Sequence, residues 1–201
     1  MALLLFDEVE LLDVAAPLEV LTMAGRSWNF RPFKIYAVAA RPGTVKTLSQ
    51  VGIEARHSLI ECPSPEIVIV PGGYGARRAL ADADLVGFLE RAGASATQLL
   101  AVGNGVLLLA KAALLADLDV CASQELVDLL RELSPSTHVD TQAGWRESGK
   151  VITSATSGAA LDAALHIVSK LLGKKQALSV AAALGLSASA VAGADVEILK
   201  A

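Results

Sequence analysis

The chain has few of the residues that metal centres and disulfide frameworks need. Its 201 residues include 2 cysteines and 3 histidines. Cys62 and Cys121 are too few for a disulfide framework, and no second ligand stands at metal-binding spacing from either of them. The histidines are scattered along the sequence and form no closely spaced pair. We therefore expect neither a metal site nor a cofactor.

The sequence also lacks long apolar runs and an excess of positive charge. The formal net charge is -4 and the isoelectric point is near 5.4, which argues against a nucleic-acid-binding surface. Hydrophobic residues make up 53% of the chain, but no window approaches the roughly 20 apolar residues of a membrane span. The first apolar run has no basic start and is interrupted by Asp7 and Glu8, so it does not resemble a signal peptide. We expect a cytoplasmic protein with no direct nucleic-acid or membrane partner.

What the sequence does contain is a regular alternation of short apolar runs and longer amphipathic segments. A chain of this length can bury one sizeable core. Buried strands separated by helices indicate a mostly parallel sheet covered on both faces, in a single three-layer α/β domain over residues 1–184. Residues 185–201 form a tail rich in small residues, with one possible strand at Val196–Leu199. The predicted strands are Ala2–Phe6, Phe33–Ala40, Ile67–Val70, Leu99–Val102, Leu118–Cys121 and Val151–Thr153, and the predicted helices are Ala16–Ala24, Ala83–Ala94, Val106–Leu115, Gln124–Leu133, Ala159–Leu172 and Lys175–Leu184.

Two segments interrupt this alternation with the period-two pattern of hairpins. The first, TVKTLSQVGIEARHSL, has Gly52 near its centre. The second, THVDTQAGWRESGKVITS, carries Gly149 and Lys150 at a natural turn position. We expect both to form small antiparallel excursions from the main sheet.

The stretch QLLAVGNGVLLLAKAALL, residues 98 to 115, combines an apolar strand, a glycine turn and a helix. In α/β enzymes such a turn often presents a nucleophile on strained backbone. Here Gly103 stands at the apex. An ordinary strand-to-helix turn would use the same residues, so the pattern alone leaves both interpretations open.

Three motifs in order resemble the ThiJ/PfpI superfamily, which shares the flavodoxin-like fold of class I glutamine amidotransferases. They are Leu-Asp-x-x-Ala-Pro-x-Glu at residues 12–19, Pro-Gly-Gly-Tyr-Gly at residues 71–75, and the turn at residues 102–105. The pattern is most similar to the branch of isonitrile hydratases and the N-terminal domains of AraC-type regulators. The resemblance extends from residue 3 to about residue 184 and implies the fold predicted above.

The departures from that pattern concern the presumed active site. The resemblance places the family's cysteine nucleophile at Gly103, where no side chain can attack a substrate. A Thr-Thr-His-Trp stretch of this branch falls on residues 121–124, which are Cys-Ala-Ser-Gln here. We therefore expect a pseudoenzyme that lacks the family's thiol chemistry.

The remaining candidate residues each allow a functional and a structural interpretation. Asp13 resembles the branch's acid/base partner of the thiol, or it forms an Asx-turn or cap ahead of a helix beginning near Pro17. Gly72 and Gly73 resemble an oxyanion-hole loop, or form a plain β-turn. Asn104 would bind a ligand, or stabilise the turn and cap the next helix.

The cysteines raise a similar choice. Cys121 ends a predicted strand, and parallel strands bring their carboxyl ends to one crevice, so its thiol is a candidate displaced nucleophile or redox sensor. The alternative is a small buried side chain. Cys62, in a proline-rich loop, is expected to be the more accessible thiol.

Our leading prediction is a homodimeric ThiJ/PfpI-like protein of uncertain function with a small-ligand or anion pocket. The pocket would comprise Asp13, Gly72, Gly73, Gly103 and Asn104. One alternative is a divergent hydratase or hydrolase in which Asp13 activates water. Another is a ligand-sensing module that regulates through a partner, since a DNA-binding domain does not fit after residue 184.

Overall fold

The computed structural model describes residues 1–26, 32–187 and 191. The possible strand at Val196–Leu199 lies outside the described residues.

The described part of the chain is organised around a seven-stranded sheet in the order β10-β11-β7-β6-β1-β2-β5. Every neighbouring pair in it is parallel except β10 and β11. A hairpin, β3 with β4, and a parallel pair, β8 with β9, stand beside it. The strands are β1 Ala2–Leu4, β2 Tyr36–Ala39, β3 Gly43–Lys46, β4 Gly52–Ala55, β5 His57–Ser58, β6 Ile67–Val70, β7 Gln98–Val102, β8 Asp119–Cys121, β9 His138–Asp140, β10 Trp145–Ser148 and β11 Val151–Ser154.

Helices cover both faces of this sheet. On one side α1, α6 and α7 pack against each other, and on the other α4 contacts α2, α3 and α5. The central strands β6 and β7 are buried along their whole length. The helices are α1 Leu11–Met23, α2 Ala76–Ala79, α3 Ala83–Ser95, α4 Val106–Lys111, α5 Val127–Leu133, α6 Ala159–Leu172 and α7 Lys174–Ala183.

This architecture confirms the predicted three-layer α/β fold with a mostly parallel sheet. Strand β6 and helix α6 have the predicted bounds. The first expected hairpin, β3 with β4, forms beside the main sheet. The second, β10 with β11, is antiparallel as expected but is not an excursion, because β11 also pairs with β7 and the hairpin forms the edge of the main sheet. The prediction was wrong at α1, which begins at Leu11 rather than Ala16, and it missed α2. Strand β8, predicted as part of the alternating pattern of the main sheet, pairs with β9 in a separate two-stranded sheet instead.

The direction in which the chain moves across the sheet reverses between β1 and β6, and we call this place the switch point. From β1 the chain crosses to β2 on one side, whereas from β6 it crosses to β7 on the other. The carboxyl ends of β1 and β6 therefore border a crevice between diverging connections. In doubly wound sheets this crevice is the usual place for ligands.

Candidate functional site

The turn after β7 has the geometry of an elbow. Strand β7 ends at Val102, Gly103–Gly105 form one 3-10 turn, and α4 starts at Val106. Gly103 has φ +55°, in the left-handed region where a Cβ is strained. A Cβ on Gly105 would collide with the carbonyl oxygen of Val70 at the end of β6. Glycine is thus required at Gly105 by close packing and favoured at Gly103 by its backbone angle.

Asp13 lies at the centre of this site. It belongs to the first turn of α1 and is only 4% exposed. Its Oδ2 accepts a hydrogen bond from the Gly72 N–H at 3.0 Å, and its Oδ1 accepts one from the Ser157 hydroxyl at 2.5 Å. Burial raises the pKa of the Asp13 carboxyl, although these two hydrogen bonds oppose the rise.

Asn104 closes the other side of the glycine loop. Its Oδ1 accepts from the Gly73 N–H at 2.7 Å, and its Nδ2 donates to the Gly73 carbonyl at 3.0 Å. The side-chain amide therefore pairs with Gly73 as a neighbouring strand would. This pairing ties the loop after β6 to the elbow after β7.

Gly72 lies where these groups crowd together. A Cβ there would be 2.5 Å from Asn104 Oδ1, 2.7 Å from Asp13 Oδ2 and 2.9 Å from the Val102 carbonyl. Only glycine allows the loop to approach both the helix and the elbow this closely. An ideal Cβ on Gly103 would itself stand 3.1 Å from Asp13 Oδ2.

The structure thus brings together all five predicted pocket residues, Asp13, Gly72, Gly73, Gly103 and Asn104. It also corrects two interpretations. Asp13 does not cap α1, because it lies inside the helix, whose N-cap position is Glu10. Asn104 does not cap α4, because its side chain pairs with Gly73 instead.

Ser157 is the site residue that the sequence analysis missed. It stands between β11 and α6, and its hydroxyl reaches Asp13 across 144 residues of sequence. A serine in a small-residue loop carries no local signal of such a contact. The available hint was its position just after a strand of the parallel sheet, because such positions meet at one edge.

These contacts define what the site can do chemically. No nucleophilic side chain extends from the apex. The N–H groups of Gly72 and Gly73, which an anion would need, already donate to Asp13 and Asn104. What remains is a partly exposed surface over a buried carboxyl, since Gly73, Gly103, Asn104 and Ser157 are all partly exposed.

Neither thiol belongs to this hydrogen-bonded cluster. Cys121 is fully buried beside β11, with Sγ 3.1 Å from the Thr153 carbonyl and its N–H donating to Thr153 Oγ1 at 2.8 Å. Burial raises the pKa of the Cys121 thiol. Cys62 is partly exposed, as the sequence predicted, and burial also raises the pKa of its thiol. Among the described residues no cluster of His, Cys, Asp and Glu could hold a metal ion.

The fold and the site together define a doubly wound α/β protein with an elbow at its switch point. The family model described as DJ-1/PfpI matches residues 1–170. The chain belongs to the DJ-1/PfpI family. No curated protein matches it at a significant level.

Solved structures with the same fold come from several organisms. A ThiJ/PfpI family protein from Pseudomonas syringae is 24% identical, with a TM-score of 0.82. The match covers 92% of this chain and 74% of the Pseudomonas syringae chain. An AraC family transcriptional regulator from Pseudomonas putida is 22% identical, with a TM-score of 0.81. The match covers 91% of this chain and 97% of the regulator's chain. Drosophila melanogaster DJ-1beta is 24% identical, with a TM-score of 0.80. The match covers 92% of this chain and 97% of the DJ-1beta chain. At these identities the likeness establishes the fold.

The structure also bears on the membrane prediction. Within the described ranges, no helix has the length and apolar character needed to cross a bilayer.

Proposed function

We propose that this chain is a non-catalytic member of its family that binds a small polar molecule at the elbow. The observation that carries the proposal is the absence of a side chain at Gly103 in an otherwise intact elbow. A thiolate or alkoxide needs a side chain at that apex, and glycine supplies none. The two cysteines lie outside the cluster, with thiol pKa values raised by burial.

The hydrogen-bonding pattern determines which ligands suit the site. Because Gly72 and Gly73 donate to Asp13 and Asn104, an anion would find no free amide there and would lie against a buried carboxyl. A neutral molecule with N–H or O–H donors meets acceptor oxygens instead. The sequence analysis predicted a pocket for a small ligand or an anion. The hydrogen bonds at the elbow favour a neutral small ligand that donates hydrogen bonds over an anion.

The test is a screen by thermal shift, with small amides, alcohols and ureas compared against carboxylates and phosphate. Compounds with N–H or O–H donors should raise the unfolding temperature of the natural protein. Gly103→Leu would place a side chain against the Asp13 carboxyl and should abolish the shift. Stabilisation by phosphate or carboxylates alone would contradict the proposal.

A second candidate function is favoured by the burial of Asp13. A buried carboxyl with a raised pKa is a candidate general acid or base, so Asp13 could activate water for a hydratase or hydrolase reaction. Asp13→Asn removes the titratable proton and keeps the shape of the side chain. If the natural protein hydrates isonitriles or hydrolyses small amides and Asp13→Asn does not, the enzyme hypothesis replaces the binding proposal.

A sensing role is the third candidate, and the likeness to the AraC family structure is what suggests it. In this role the protein would bind the same small molecule at the elbow as in the first proposal. The two differ in whether ligand binding changes association with a second protein, which a comparison of complex size with and without the stabilising compound would reveal.

A further inference from the structure

A concavity lies at the carboxyl ends of β1 and β2, away from the elbow. Its volume is about 380 Å³. It is bordered by the segment after β1, the segment from β2 into β3, and the start of α3. This volume falls in the range of ordinary small-molecule sites, about 300–1,000 Å³.

The floor of this concavity is apolar. Leu5, Phe6, Val45 and Leu85 line it, and all are buried in the protein core, with exposed fractions of 1%, 9%, 8% and 2%. They leave a surface that favours an apolar group of a ligand over water.

The rim carries two opposite charges that the described part of the chain leaves without partners. Asp7 and Arg41 both line the concavity and are exposed, and neither side chain forms a hydrogen bond or ion pair with another described residue. Nearby charges behave differently. Asp82 also lines the concavity, but its carboxylate accepts from the N–H groups of Asp84 and Leu85 and caps α3. Glu8, which is not part of the lining, pairs with Arg78 at 2.5 Å.

An apolar floor beside one free carboxylate and one free guanidinium matches a particular kind of molecule. We propose that this concavity binds a free α-amino acid with an apolar side chain. Asp7 accepts from the ammonium group and Arg41 donates to the carboxylate, both through charge-assisted hydrogen bonds. The ligand's side chain lies over the buried floor.

The two charges explain why a zwitterion is preferred. A simple carboxylate would pair with Arg41 but face the Asp7 carboxylate without compensation, and a simple amine would have the reverse problem. Glycine would satisfy both charges but leave the apolar floor to water. None of the elbow residues lines this concavity, so the proposal is independent of the proposed function.

The experiment is titration calorimetry of the full chain with L-leucine, L-methionine and L-phenylalanine. At least one should bind saturably, with leucinamide, 4-methylpentanoate and glycine about tenfold weaker or more. Asp7→Asn and Arg41→Gln should each weaken binding by about tenfold or more. The matched controls Asp84→Asn and Arg77→Gln change exposed charges outside the concavity and should leave binding unchanged.

Several results would overturn the assignment. They are no binding of any of the three amino acids, equal binding of an analogue that lacks one charge, or unaltered binding in both rim variants. Unfolding temperatures of the variants separate loss of binding from loss of fold. Asp13→Asn should retain amino-acid binding, and loss of binding in that variant would place the ligand at the elbow instead.

Discussion

At the scale of single residues, the elbow is the part of the molecule most sensitive to one added carbon atom. Gly103 and Gly149 have nearly equal φ values, +55° and +59°, but different surroundings. A Cβ on Gly103 would lie 3.1 Å from Asp13 Oδ2, whereas none of the described atoms lies within 4 Å of a Cβ on Gly149. A side chain added at Gly149 therefore tests backbone strain alone, whereas one added at Gly103 tests backbone strain together with crowding against Asp13.

We expect Gly149→Ala to lower the free energy of unfolding by roughly 1 kcal/mol, the lower end of the cost of a left-handed residue. Gly103→Ala should cost about 1 kcal/mol more, because its Cβ also crowds the Asp13 carboxyl. Urea unfolding of both variants measures the difference. If Gly103→Ala lowered the free energy of unfolding no more than Gly149→Ala does, Asp13 would not lie as close to the elbow as the structure places it.

Asp13 gives a second prediction, on pH dependence. Because burial raises its pKa on folding, the folded chain binds this proton more tightly than the unfolded chain. The carboxyl therefore reduces stability progressively as pH rises from its unfolded-state pKa, about 3.9, through the raised folded-state value. Asp13→Asn removes this loss.

The stability of Asp13→Asn relative to the natural protein should therefore increase with pH. Urea unfolding midpoints from acidic to neutral pH measure it, and Ser157→Ala is the useful companion. That variant removes a hydrogen bond to the carboxyl without removing the titration, so the pH dependence should persist in it. A relative stability of Asp13→Asn that is flat or falls with pH would contradict the assigned burial.

At the scale of elements, β10 is an edge strand attached to α6 by a polar cluster. Glu147 Oε2 lies 2.7 Å from His166 Nε2, and Lys170 donates to Glu147 and, at 3.1 Å, to Gln98. Burial would raise the pKa of Glu147, but the hydrogen bonds from Lys170 and His166 outweigh it and lower the pKa. This carboxylate stabilises the fold above its unfolded-state pKa, and the contribution is lost as pH falls through the folded-state value.

Glu147→Gln should therefore lower the free energy of unfolding at neutral pH, by roughly 1–2 kcal/mol for a hydrogen-bonded charge. The deficit should shrink as pH falls from the unfolded-state pKa of a glutamate, about 4.3, through the lowered folded-state value, where the natural carboxyl becomes protonated. Glu132→Gln changes an exposed carboxylate of α5 and serves as the control. An equal deficit at acidic and neutral pH would mean that shape, not charge, holds β10.

Elements whose burial follows from a local pattern were predictable from the sequence. The uninterrupted apolar run Ile67–Val70 and the amphipathic segment Ala159–Leu172 have the observed bounds, because each encodes its own periodicity. The start of α1 was not predictable, because Pro17 suggests a first helical turn but lies inside the helix. The contact that places Asp13 against Gly72 depends on tertiary packing rather than local sequence.

At the scale of the whole molecule, the order of strands accounts for the elbow better than any single motif. The glycine loop follows β6, Asp13 follows β1 and Gly103 follows β7, and the switch point makes these segments neighbours. The resemblance therefore predicted five of the residues that meet, but not Ser157. It did not predict that Asn104 and Asp13 would occupy the amide donors of Gly72 and Gly73, since side-chain pairing depends on distances of a few ångströms.

The assembly of the whole molecule is the last prediction. The resemblance to paired family members suggests a homodimer, and the described surface retains large apolar side chains, with Ile60 79% exposed and Tyr74 71% exposed. A stable interface buries about 1,600 Å² in total, so such side chains would be only part of it. Light scattering at micromolar concentration should give twice the mass of the 20.7 kDa chain. Because apolar contacts are not screened by ions, the dimer should persist at raised salt. A monomer at both ionic strengths would contradict the prediction, and dissociation by salt alone would assign the interface to charged groups.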